Sequence, residues 1–299
     1  MDFHKLTLKD KEILDHAFAL DPRPACDFCF AINYLWRDVY NIELATEGNF
    51  ALMRYSHDGI PSYSFPLGDP ADKEGFKAAL TKLTEDSKSR NEVLRLYPVL
   101  DSDCSRLSEA LPGRFRFEET RDFADYIYDR EKLATLSGKK LHGKRNHIAR
   151  FLDEPDWQYE EISASNADEC IELDHQWFEA QGDGYSEAII EEQSAVHFSL
   201  RKLKELGLSG GLIRRKGEVI AFAVGEPLTK DTYVVHIEKA RADIQGAYQM
   251  INREFVRHNC MDYKYVNRED DAGDPGLRKA KLSYYPEILL RKFEAVLIQ

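Results

Sequence analysis

The densest run of chemically capable residues lies within residues 228–290. His236 and Glu238 stand two apart, Gly246 and Ala247 follow, and Asn267, Arg268, Arg278, Lys281, Tyr284 and Tyr285 come after them. Over residues 232–238 the side chains alternate with the period of a strand. Tyr233, Val235 and Ile237 fall on one side; Val234, His236 and Glu238 fall on the other. On a regular strand this puts the His and the Glu on one face, with Cα atoms roughly 6.5–7 Å apart. Acyl transfer needs a deprotonated amine or hydroxyl, a stabilised oxyanion and a proton for the leaving group. Glu238 is the first candidate for the base, directly or through a water. His236 is the second, since an unperturbed imidazole titrates at about 6.5. The bland alternatives are a Glu238 paired with Lys239 or Arg241 and a His236 hydrogen-bonded in the core.

Ile244, Gln245, Gly246 and Ala247 read as the opening of a helix. Small residues there let a ligand approach the backbone, and exposed N–H groups at a helix start favour anions. An ordinary helix start looks much the same. Asn267 and Arg268 leave a strand over residues 263–266 at its C-terminal end, where ligands bind in α/β sheets. Arg278 and Lys281 add positive charge nearby, and these residues together form the candidate donor-binding set. The acidic Glu269, Asp270, Asp271 and Asp274 can recognise a cationic group such as a lysyl amine, or stand as a solvated loop.

The second informative stretch is residues 131–154. Leu133, Leu141, Ile148 and Leu152 mark an apolar stripe at helical spacing, broken by Ser137-Gly138. Between Ser137 and Leu152 there is no acidic residue, while Lys139, Lys140, Lys144, Arg145 and Arg150 cluster there with His142 and His147. In a chain of net charge −12 that is out of character. The basic helix is a candidate phosphate- or RNA-binding surface, weighed against a solvated helix face.

The elements around these stretches alternate. Helices are predicted over residues 8–20, 71–90 and 102–111, and a hairpin over 50–55 and 60–67. Strands are predicted near 93–99, 114–119, 122–128 and 158–162. Asn166 caps a helix bearing Cys170, Leu173, Trp177 and Ala180 on one side; Gly182 and Gly184 break it, and another helix follows over 186–206. A hairpin turns at Lys216-Gly217, and its second strand, VIAFAV, is apolar throughout and so central. One or two strands end the chain. The pattern predicts an α/β fold.

With 299 residues, 43% of them hydrophobic, the chain can bury a core without disulfides. The negative charge excludes general nucleic-acid affinity, so any polyanion site must be a local patch. No run of about 18 apolar residues suggests a membrane span, and the charged N-terminus lacks the apolar core of a signal peptide. The five cysteines are unevenly spaced, which argues against a disulfide framework and for the cytoplasm. Cys26 and Cys29 form a lone C-x-x-C without a second pair, so two buried small residues are expected there rather than a metal site.

The order of hairpin, strand, Gly-bearing loop, helix, strand and short helix resembles the GNAT acyltransferase fold. HIEKARADIQGAYQMINREF and YVNREDDAGDPGLRKAKLSYYP, with GKRNHIARFL upstream, resemble soluble relatives of the phosphatidylglycerol lysyltransferase C-terminal domain. That family is similar to the Fem-type transferases, which carry two GNAT-like domains in tandem. The resemblance implies two such domains, each a mixed sheet flanked by helices: residues 1–137 and 138–299, joined by the basic helix at about 131–154. It implies acyl or aminoacyl transfer, with aminoacyl-tRNA as donor and tRNA or a phosphorylated small molecule as partner. It also marks Tyr284 and Tyr285 as candidates for protonating the leaving group, against a packing role. The GNAT donor signature, (Gln/Arg)-x-x-Gly-x-(Gly/Ala), is matched only in part, because Arg241 stands five residues before Gly246. Acyl-CoA and N-acetyl transfer therefore form the alternative, and a non-catalytic RNA- or phospholigand-binding module is the third reading.

Overall fold

The computed structural model describes residues 1–57, 59–179 and 187–298. The chain forms two compact units: Met1–Asp125 with Asp270–Pro275 and Leu289–Gln299, and Tyr126–Glu269 with Gly276–Ile288. Each is built on a mixed sheet flanked by helices.

The sheet of the first unit has seven strands in the order His4–Lys5, Glu43–Glu47, Phe50–His57, Ile60–Tyr63, Arg95–Val99, Phe293–Leu297, Phe115–Glu119. Ile60–Tyr63 and Arg95–Val99 run parallel; their other neighbours are antiparallel. Parallel neighbours need a crossover, here the helix Lys73–Ser89. That helix forms because Phe76, Ala79, Leu80 and Leu83 make one apolar face, and because the Asp72 side chain accepts from the Gly75 N–H at its start. The face packs with Phe50, Leu52, Tyr63 and Phe65 in the unit's core.

The second sheet, formed mainly by residues of the second unit, has the order Ile288–Leu290, Asp125–Asp129, Tyr265–Asn267, Thr232–Ala240, Glu218–Pro227, Ser209–Arg215, Trp157–Glu161. Thr232–Ala240 and Tyr265–Asn267 are the parallel neighbours, and the helix Ala247–Asn259 crosses between them. Its residues Met250, Ile251, Phe255 and Val256 are buried against Tyr233, Val235 and Ala223. Glu218–Pro227 is central, with the whole run from Val219 to Val224 buried. Its hairpin turns where Lys216 and Gly217 both have positive φ, 51° and 85°, the backbone of a two-residue turn that matches strand twist.

Three features differ from the regular pattern. In Thr232–Ala240, Ile237 pairs with Val224 and Val235 with Gly225, so His236 is an extra residue in a β-bulge. The bulge reverses the alternation beyond it. Glu238 and Ala240 join Tyr233 and Val235 on the side of the helix Ala247–Asn259, whereas His236 turns to Glu226, which pairs opposite Val234. His236 and Glu238 therefore do not share a face. The basic stretch is two helices, Arg130–Thr135 and His142–Leu152, separated by Leu136 and Gly138 at φ 52° and 88°. The helix expected over 186–206 divides into Glu187–Arg201 and Leu203–Leu206. Ala180, Gly182 and Gly184 lie outside the described residues.

Candidate functional site

Glu238 leaves the strand Thr232–Ala240 with both carboxylate oxygens engaged. Oε1 accepts from Arg268 Nη2 at 2.9 Å and Oε2 from Asn252 Nδ2 at 3.0 Å. Arg268 follows the short strand Tyr265–Asn267, parallel to the one that carries Glu238, so the parallel pair itself brings the ion pair together. The Arg268 guanidinium lies over the Tyr284 ring at 4.9 Å, and Tyr284 meets Tyr128 edge-on at 6.4 Å between centroids. Burial pushes the Tyr284 and Tyr128 phenols well above their ordinary pKa. Behind Arg268, Lys281 Nζ donates to the Arg268 carbonyl at 2.6 Å and the Tyr128 hydroxyl donates to the Lys281 carbonyl at 2.8 Å. The helix Pro275–Leu282 is thus tied to the loop that presents Arg268.

The helix His142–Leu152 supplies the next side chain. Lys144 is half-buried with its Nζ 4.0 Å from the Tyr284 centroid. Burial, and then the repulsion of Arg268, lower its pKa to about 8, against a smaller opposing pull from Glu238. The helix is docked through Gly246, which has φ +86° and caps the helix Ala247–Asn259. The space a side chain would need at Gly246 is filled by the His147 carbonyl. The Ala247 N–H donates to the Ile244 carbonyl at 3.2 Å, Ile244 packs on the core, and Gln245 is exposed. Of the other basic residues on this helix and its approach, Arg145 is spent on the Leu136 and Gly138 carbonyls at the end of the preceding helix. Lys140 covers the Tyr285 ring at 5.1 Å; Lys139 and Arg150 are exposed.

The remaining candidates are dispersed. His236 is buried between Glu269, whose Oε1 lies 2.7 Å from Nδ1, and Glu226, whose Oε1 lies 3.1 Å from Nε2. Asn267 is buried, and its Oδ1 accepts from the Glu269 N–H at 2.7 Å, which shapes the turn after Arg268. Arg278 is half-buried, and Tyr285 is half-exposed at φ 56°.

The first unit repeats the strand–helix–parallel strand arrangement, but its helix start differs. The Asp72 carboxylate caps Lys73–Ser89, so negative charge sits where the second unit has Gly246. An anion is disfavoured there and not at the second unit's helix. At the C-x-x-C, Cys26 and Cys29 are buried. Beside Cys26 the Lys292 ammonium stands 2.5 Å from Asp27, 2.7 Å from Asp125 and 3.4 Å from Cys26 Sγ, so a cation already fills the centre of this cluster.

Asn252 and Tyr128 are the functional neighbours that the sequence reading missed. Asn252 had a signal: it is a polar residue next to the apolar stripe Ala247, Ile251, Phe255 of an amphipathic helix, and only a buried partner explains that position. Tyr128 had none, because an aromatic residue in a strand reads as core.

The family described as phosphatidylglycerol lysyltransferase, C-terminal, matches residues 18–296. A conserved protein of unknown function from Bacteroides thetaiotaomicron VPI-5482 is 38% identical with a TM-score of 0.93, covering 100% of both chains. The L-PGS of Bacillus licheniformis shares the fold at a TM-score of 0.66 and 16% identity, covering 96% of this chain and 92% of that one. FemX does so at 0.61 and 10%, covering 98% and 97%. The fold is accordingly α/β with two GNAT-like units in tandem. An uncharacterised protein of Mycoplasmoides gallisepticum is 25% identical over 173 residues, 56% of this chain and 54% of that protein, so the chain spans about half the length of this curated relative. Among the described residues no helix is long and apolar enough to cross a membrane.

Proposed function

The chain belongs to the phosphatidylglycerol lysyltransferase C-terminal family, and from that premise we propose that it is a transferase that moves an aminoacyl group from aminoacyl-tRNA to a nucleophilic acceptor, with the chemistry in its second unit. The observation that carries this reading is the cluster of Glu238, Arg268, Asn252, Tyr284 and Lys144 beside the parallel strand pair. It joins a fixed carboxylate, a fixed guanidinium and a lysine of lowered pKa, the groups that transfer from an ester requires. In this reading Glu238 holds Arg268 in place and contacts the acceptor. The Arg268 N–H groups not directed at Glu238 face the carbonyl oxygen as it becomes an oxyanion. The exposed Lys139 and Arg150 take the phosphates of the donor.

The family name and the folds of L-PGS and FemX support the reaction class. The Asp72 cap supports assigning the donor to the second unit. The Ala247 N–H is already bonded within the chain, which favours tRNA over acyl-CoA, whose pyrophosphate GNAT-type helix starts would hold.

The test is a titration at one low salt concentration with lysyl-tRNA, uncharged tRNA and acetyl-CoA side by side. Preferential binding of lysyl-tRNA is expected, with Glu238→Gln and Arg268→Gln retaining binding but losing transfer. Equal binding of both tRNAs with the ester left intact would instead mark an RNA-binding module. Saturable binding of acetyl-CoA alone would replace this reading with N-acetyl transfer.

A further inference from the structure

Lys144 occupies a position that local rules would not give to a lysine. It lies in the first turn of His142–Leu152, a turn with no acidic residue, so its ammonium faces the positive end of the helix dipole. It is half-buried, and it forms no ion pair among the described residues. Arg268 stands over the same Tyr284 ring, 4.9 Å from the centroid against 4.0 Å for Lys144, so a second cation shares its surroundings. Burial, the helix end and Arg268 all disfavour the charged amine. Glu238 offsets burial and Arg268 only in part, so the Lys144 pKa falls to about 8.

We propose that Lys144, as its neutral amine, is the general base of the second unit's reaction and returns the proton to the leaving oxygen. This rests on the aminoacyl-transfer reading above. As the acceptor's hydroxyl or amine bonds to the ester carbonyl carbon, its proton passes to Nζ and the carbonyl π pair moves to oxygen beside Arg268. When the bond from that carbon to the ribose oxygen breaks, Nζ gives the proton to the ribose oxygen. The products are the aminoacylated acceptor and uncharged tRNA; Lys144 ends neutral, and no oxidant or reductant is involved. Glu238 is less available for proton transfer because Arg268 and Asn252 already occupy both of its oxygens. An amine titrating near working pH is better matched to the task than a salt-bridged carboxylate. Lys144 was expected on a phosphate- or RNA-binding surface, and its packing on Tyr284 assigns it instead to the chemistry.

Two measurements test this. In the first, the intact protein is pulse-labelled with acetic anhydride across a pH series and Lys144 acetylation is followed by peptide mass spectrometry. Half-maximal reactivity near pH 8 is expected. A midpoint at the ordinary lysine value of about 10.4 overturns the proposal. In the second, single-turnover loss of the lysyl-tRNA ester is followed with phosphatidylglycerol vesicles as acceptor, for the wild type, Lys144→Ala and Lys144→Arg. Both variants should bind lysyl-tRNA as the wild type does and lose about 10²–10⁴ in rate. Ethylamine in solution should restore part of the Lys144→Ala rate, which a misfolded variant could not show. A Lys144→Arg rate equal to wild type means that only the charge matters and overturns the base role alone. A wild type that leaves the ester intact overturns the transfer reading and the base role with it.

Discussion

Replacing Gly246 by Ala separates two penalties that coincide at this position. The residue has φ +86°, and Gly217 in the same unit has φ +85°. An L side chain at either φ costs about 1–2 kcal/mol. Around Gly217 nothing lies within 4 Å of an added Cβ, so Gly217→Ala should cost only that backbone term. At Gly246 the new methyl would run into the His147 carbonyl and stand 3.0 Å from Phe151 Cβ. Backbone cannot swing aside as a side chain can, so the helix His142–Leu152 must move. Overpacking of that kind adds about 1–3 kcal/mol, for a total of about 2–5 kcal/mol. Urea unfolding monitored on matched samples gives both values, provided the slopes agree. The same displacement would carry Lys144 off the Tyr284 ring, so Gly246→Ala should also slow transfer, whereas Gly217→Ala should not. If Gly246→Ala unfolds at the same urea concentration as Gly217→Ala, the helix does not rest on Gly246 and the account of how Lys144 is positioned is wrong.

Further expectations concern charge. Asn252→Ala removes one of two donors to Glu238 and should cost about 1.5–3 kcal/mol; Asn252→Asp, equal in size, should unfold at still lower urea because it sets like charge against Glu238, and wild-type stability would contradict this. Lys292→Met leaves Asp125 and Asp27 facing each other in the first unit, one fully buried, and should lose about 3–5 kcal/mol in denaturant unfolding. A small change there would mean that one carboxylate is already neutral. Lys144 titrates at about 8 when folded, below its unfolded value, so between the two the unfolded chain binds more protons and stability rises with pH. Lys144→Met should therefore be more stable than wild type at pH 7, with the gap closing by about pH 10.4. Urea midpoints at the two pH values check this, and a constant gap would exclude a depressed Lys144.

Much of the architecture could be read from local pattern. The apolar run from Val219 to Val224 marked a central strand, and Gly246 and Ala247 marked the opening of a helix. Lys216-Gly217 marked a tight turn, because each of these reports a local period or backbone preference. The residues gathered round Glu238 were legible as types, and Arg268, Lys281 and Tyr284 were singled out from sequence. Their partners were not. Asn252 comes to Glu238 across a helix–sheet interface, and Lys144 comes from a helix about a hundred residues earlier.

By itself, the sequence determined the fold class and the family, and it singled out the segment proposed to carry the chemistry. Local propensity and periodicity act over a few residues and are written in the order of the chain. Only the tertiary structure decided which face each side chain takes and which charges meet. One extra residue, His236, reversed the strand alternation and sent Glu238 to Asn252 and Arg268. The absence of a side chain at Gly246 let a basic helix come close enough to bury Lys144 beside them. Register, close approach and desolvation depend on residues distant in sequence, and no local pattern encodes them.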